Sequence, residues 1–81
     1  MPSIFVVMSK CEQWWDRFKS LCREYLANMR KDDMDPEAMR YVVEKCHSSR
    51  DVWRFIRRYN ETYFRELIQT LEARASEDVT K

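Results

Sequence analysis

Eighty-one residues carry 15 basic and 14 acidic side chains, a net charge of +1, and not one glycine. The length allows a single domain, and the balanced charge selects no class of partner. The missing glycine excludes a phosphate-cradling loop, a G-x-G-x-x-G dinucleotide turn, a calcium loop and the Asn-Gly or Asp-Gly hairpins of β-rich folds. The composition therefore predicts an all-α chain.

The chain opens with the apolar run Ile4-Phe5-Val6-Val7-Met8. It is too short to cross a bilayer or to form the core of a secretory leader, and no basic segment precedes it. Residues 1–9 are thus predicted to be an apolar arm: extended, paired as a strand across a dimer, or continuous with the first helix. No membrane association is expected, and the cysteine usage described below predicts a reducing, cytoplasmic setting.

Ser9-Lys10-Cys11-Glu12 has the S-x-x-E form of a capping box, in which Ser and Glu satisfy free amide donors at a helix start. From there Cys11, Trp14, Trp15, Phe18, Leu21, Cys22, Tyr25, Leu26 and Met29 recur at helical spacing. They fall within an arc of about 140° and predict a first helix over 10–31. Lys19, with Glu12, Asp16, Arg23 and Glu24, lies outside the arc on the expected solvated face.

Asp32-Asp33-Met34-Asp35-Pro36 interrupts the pattern. Asp35 is a good helix cap and Pro36 suits the first helical position. A short second helix is predicted over 36–47, burying Ala38, Met39, Val42, Val43 and Cys46. His47-Ser48-Ser49 connects it, with Ser48 or Ser49 as cap, to a third helix predicted over 50–74. The apolar residues of that third helix run from Val52 to Leu71 and spread over roughly 220°, more than one neighbouring helix pair uses. The excess places the helix at the centre of the bundle or turns part of its stripe toward another chain. Residues 76–81 read as a polar, fraying tail. The predicted fold is an antiparallel three-helix bundle, long–short–long, over 10–75. Without glycine, its helix ends must be closed by Asp32, Asp33 or His47, or by caps that avoid positive φ.

Catalytic material is sparse: there is one histidine, no G-x-S-x-G elbow and no H-E-x-x-H pair. All three cysteines fall at apolar helical positions, which predicts buried free thiols. Only Cys46 and His47 lie close enough in sequence to start a metal site, so no metal and no cofactor is expected. Arg40 and His47 are separated by six residues, and this spacing is similar to the R-x4-6-H signature of the HEPN family of small helical ribonucleases. The resemblance implies His47 as acid or base and Arg40 as phosphate stabiliser at a dimer-composed site. It covers one helix, and HEPN domains are longer, with four or more helices.

Two surfaces remain. Trp14 and Trp15 flank the two edges of the first stripe, and Trp53, Phe64 and Leu71 form the outer part of the wide one. Together they predict an aromatic interface with a second copy or a protein partner. Arg54, Arg57, Arg58 and Arg65 form a cationic helix face suited to phosphates, with Glu61 and Glu72 placed to pair with them. The expected function is a non-enzymatic helical interaction module without a small-molecule substrate. The alternative is nucleic-acid binding through the arginine face, and a HEPN-like ribonuclease is the third reading.

Overall fold

The computed structural model describes residues 9–30 and 36–80. They form four helices: α1 (Lys10–Ala27), α2 (Pro36–Lys45), α3 (Ser49–Tyr59) and α4 (Thr62–Thr80), with no strand among the described residues. The all-α expectation is met. The apolar run at 4–8 and the turn acids Asp32, Asp33 and Asp35 lie outside the described residues.

Helix starts follow the sequence closely. Ser9 caps α1, its Oγ accepting the Glu12 N–H at 3.1 Å and donating to Glu12 Oε1 at 3.3 Å. Ser48, not Ser49, caps α3 by accepting the Asp51 N–H at 3.3 Å. Pro36 occupies the first position of α2, where its missing N–H has no partner to lose.

Helix ends differ from expectation, and the largest difference splits the third predicted helix in two. Asn60 takes the left-handed conformation, φ 51° and ψ 47°, while its N–H still reaches the Ile56 carbonyl at 2.8 Å. The Glu61 carbonyl then starts a new ladder by accepting the Arg65 N–H at 3.0 Å. Asparagine tolerates this region better than other non-glycine residues because its short polar side chain bonds locally. The break also accounts for the 220° stripe: α3 buries Val52 and Ile56, α4 buries Phe64, Ile68, Leu71 and Ala75, and each stripe is narrow. Tyr63, counted in the single wide stripe, is 59% exposed.

The other ends are also closed without glycine. The Asn28 side chain donates to the Glu24 carbonyl at 2.8 Å, and its backbone N–H reaches the Glu24 and Tyr25 carbonyls, stopping α1 short of residue 31. Beyond α2, the Cys46 carbonyl accepts from Lys19 Nζ of α1 at 3.0 Å. An ammonium there supplies both a hydrogen bond and a favourable charge for a helix C-terminus. Lys19 is therefore buried, contrary to the solvated position its place on the wheel suggested, and its Nζ also lies 5.3 Å from the centre of the Trp15 ring.

In the core, α1 packs against both α4 and α2. Phe18 and Cys22 of α1 meet Met39 and Val42 of α2, Val52 and Ile56 of α3, and Phe64 and Ile68 of α4, all essentially inaccessible to solvent. Full burial of one such large side chain contributes about 1.5–3 kcal/mol. The tail expected to fray from residue 76 is instead helical to Thr80. Ala75 is buried, and the residues after it are tied to α1: Ser76 Oγ accepts from Trp14 Nε1 at 2.9 Å, and Asp78 accepts from Arg17 Nε at 2.6 Å.

Candidate functional site

The structure sorts the predicted interface residues into two groups. Phe64 and Leu71 are core, 1% and 6% exposed, and offer nothing to a partner. The Asn60 break turns them onto the inner face of α4, and Phe64 packs edge-on against Phe55 and Tyr59 of α3. Trp14, Trp15 and Trp53 are each half-buried.

Trp14 and Trp15 come together in the wall of an open groove of about 620 Å³. The groove lies between the N-terminal end of α1, the C-terminal end of α4 and the α2–α3 connection, and Cys11, Ser49 and Val79 also line it. Phe18 underlies both indoles, stacked on Trp14 with ring centres 5.4 Å apart and tilted against Trp15 at 5.5 Å. Trp14 Nε1 donates to the Glu72 carbonyl at 3.1 Å as well as to Ser76. With its only donor engaged inside the fold, what the Trp14 indole leaves uncovered is ring carbon. Cys11, expected to be buried, is exposed: it sits a turn before Trp14 and faces the groove instead of the core.

Trp53 stands elsewhere. Its Nε1 donates to Glu72 Oε2 at 3.1 Å, and the same oxygen accepts from Ser49 Oγ at 3.5 Å. Burial holds the Glu72 carboxyl above its usual 4.5, opposed by these two hydrogen bonds. Glu72 is thus turned inward and does not neutralise the arginine face.

That face is a second concavity, of about 510 Å³, at the junction of α2 and α3. Arg54, Arg57 and Arg58 line it together with Lys45, Tyr41 and Asp51. Arg65, grouped with them on a single long helix, is separated by the Asn60 break and instead lines a smaller hollow of about 240 Å³ with Trp53, Ile56 and Arg57. The ion pairs expected from Glu61 and Glu72 do not form. The acidic partner seen in an ion pair is instead Asp78, held by Arg17. Asp51, the one carboxylate in the concavity, accepts the His47 backbone N–H at 3.0 Å. Lys45 and Tyr41 were not singled out from the sequence, although the short 46–48 connection itself requires the last turn of α2 to meet the first turn of α3.

His47 lies beyond the end of α2 and lines the tryptophan groove, whereas Arg40 is exposed and does not. Burial pushes the Cys22 thiol up to about 12 and raises Cys46 as well, which leaves both poor nucleophiles. Among the described residues, no three His, Cys, Asp or Glu side chains stand together to hold a metal ion, and no helix is long and apolar enough to cross a membrane. Compared with models of known protein families, with curated proteins and with solved structures, the chain finds no significant match in any of the three.

Proposed function

We propose that the protein is a non-enzymatic helical assembly module whose tryptophan groove takes an apolar segment from a second copy of the chain. The observation that carries this reading is the open groove walled by Trp14 and Trp15, of a volume typical of sites that enclose a ligand. Covering its wall removes apolar surface from water and strands no donor of Trp14, because that N–H is already bonded within the fold.

The occupant we assign is the run Ile4-Phe5-Val6-Val7-Met8, the longest stretch of consecutive large apolar residues in the chain. Only Ser9 separates this run from α1, and Ser9 is committed as the helix cap. A return onto the groove of the same chain requires at least a two-residue turn, which would use up part of the run. A second copy can present all five side chains. A domain this small also has a marginal core, so burial across an interface is a favourable way to add stability.

Sedimentation velocity from low to several hundred micromolar tests the reading. The full chain is expected to dimerise with concentration, and a chain lacking residues 2–8 to remain monomeric with its helical circular dichroism intact. Trp15→Ala is expected to weaken the dimer in the same direction. A full chain that stays monomeric throughout overturns the proposal. So does a dimer indifferent to both changes.

A further inference from the structure

The α2–α3 concavity has features that the assembly reading does not use. Four cationic side chains, Lys45, Arg54, Arg57 and Arg58, surround it against one carboxylate, Asp51. None of the four has an ion-pair partner within 4.0 Å among the described residues. Arg54 and Arg58 are also spaced i, i+4 on α3, a like-charge arrangement that costs a helix a few tenths of a kcal/mol. Four cations grouped against their own repulsion, with one carboxylate among them, form a site that gains from an anion.

The aromatic residues narrow the kind of anion. Tyr41, Phe55 and Tyr59 form a ladder of stacked rings, with centres 4.3 Å apart at 23° and then 5.4 Å apart at 11°. Phe64 closes the ladder from the core side, edge-on to both Phe55 and Tyr59. The outer rung is Tyr41, which is 37% exposed and is the one ring that lines the cationic concavity. A flat ring at the end of a fixed stack offers a face to another flat ring, and the guanidinium groups beside it offer forked donors to phosphate oxygens. In a duplex the faces of the bases are covered by their neighbours, whereas a single strand presents bases and phosphates together.

We propose that the Tyr41, Lys45, Arg54, Arg57 and Arg58 concavity is a binding site for single-stranded nucleic acid. The cations hold the phosphodiester backbone, and an unpaired base extends the Tyr41–Phe55–Tyr59 stack. Stacking and phosphate contacts are open to every base, so the binding is expected to be sequence-tolerant. Its lining residues are all different from those of the tryptophan groove, although both adjoin the α2–α3 connection.

Fluorescence anisotropy with the full chain and a labelled strand of about 15 nucleotides, as RNA and as DNA, tests the proposal. Four phosphate contacts on a single strand predict a log K against log[salt] slope of roughly −3, so affinity drops about 50-fold between about 50 and 200 mM salt. Arg57→Gln and Arg58→Gln are each expected to make the slope shallower by about 0.7. Tyr41→Leu, which keeps an apolar side chain against Phe55, is expected to weaken binding roughly tenfold with the slope unchanged. Arg65→Gln, outside the concavity, is expected to change neither slope nor affinity by as much as twofold. The proposal is overturned by no binding at about 50 mM salt, by a flat salt dependence, or by indifference to Arg57→Gln and Arg58→Gln. Tighter binding to the duplex of the same sequence overturns it too. Preferential retention on phosphatidylcholine vesicles containing phosphatidylserine would reassign the cations to a lipid headgroup and equally defeat it.

Discussion

The two sides of this molecule hold their helices together by opposite means. Where α1 meets α4, the contact is apolar in the middle and latched at its outer end by Trp14 to Glu72 and Ser76 and by Arg17 to Asp78. Where α2 meets α3, the contact is the aromatic ladder from Tyr41 to Tyr59, and the four cations around it have no ion-pair partner within 4.0 Å among the described residues. The first side is built so that its polar groups stabilise the structure, and the second so that its polar groups remain available. Substitutions should therefore separate cleanly: costly on the α1–α4 side, and nearly silent for stability among the cations.

The largest effect is expected at Phe18, which is 0% exposed and supports both groove tryptophans. Phe18→Ala should cost about 3–5 kcal/mol, enough to leave a domain of this size largely unfolded. Arg57→Gln and Arg58→Gln should stay within about 0.5 kcal/mol of the parent. Urea unfolding followed by circular dichroism measures both. If Phe18→Ala costs less than the arginine changes, the comparison collapses.

Trp14→Phe comes next. It keeps a ring on Phe18 but deletes the N–H that holds the last turns of α4, and a loss of about 1–2 kcal/mol is expected. Hydrogen exchange should localise the effect, with amides near Ala75 exchanging faster while those of α2 keep their protection. Uniform acceleration over all four helices would contradict the latch.

These contrasts also mark what the sequence made legible. Helix starts are written in short polar signals, Ser9-x-x-Glu12 and Ser48-x-x-Asp51, and both appear in the structure as caps. Burial of α1 followed from the spacing of Phe18, Leu21 and Cys22. What failed was the assumption that one unbroken apolar pattern is one helix. The 220° spread was itself the symptom: two faces belonging to two helices had been projected onto one wheel, and Asn60, the residue suited to positive φ, stood between them. That error placed Phe64 and Leu71 on an outer surface and grouped Arg65 with Arg54 and Arg58. Lys19 was misplaced for a different reason. A wheel records where a side chain leaves the helix, whereas a long lysine stem can run over Trp15 and carry its amine to the Cys46 carbonyl.

The Asn60 break can be sharpened directly. A left-handed backbone costs a residue with a Cβ roughly 1–2 kcal/mol, and asparagine recovers part of that through local hydrogen bonding. Asn60→Gly should therefore leave stability within a few tenths of a kcal/mol of the parent, and Asn60→Ala should lower it by about 1 kcal/mol. Equal stability of the two variants in thermal unfolding would show that the conformation at 60 carries no strain.

The smallest expected effect lies at Glu72, where the two sides meet: its carbonyl serves Trp14 and its carboxylate serves Trp53 and Ser49. Burial raises its folded pKa above the usual 4.5, so the folded protein holds this proton more tightly than the unfolded chain does. The stabilisation linked to that proton is complete below about pH 4.5 and is lost as pH rises through the higher folded value. Glu72→Gln keeps an acceptor for Trp53 and Ser49 but carries no charge at any pH. Its stability relative to the parent should rise between pH 4 and pH 7, by less than about 1 kcal/mol because water screens a carboxyl that is only part-buried. Taking the difference between variant and parent at each pH cancels the contributions of the other carboxylates, so a difference that is flat or falls with pH would mean that Glu72 is solvated and that the junction between the two sides is looser than its hydrogen bonds imply.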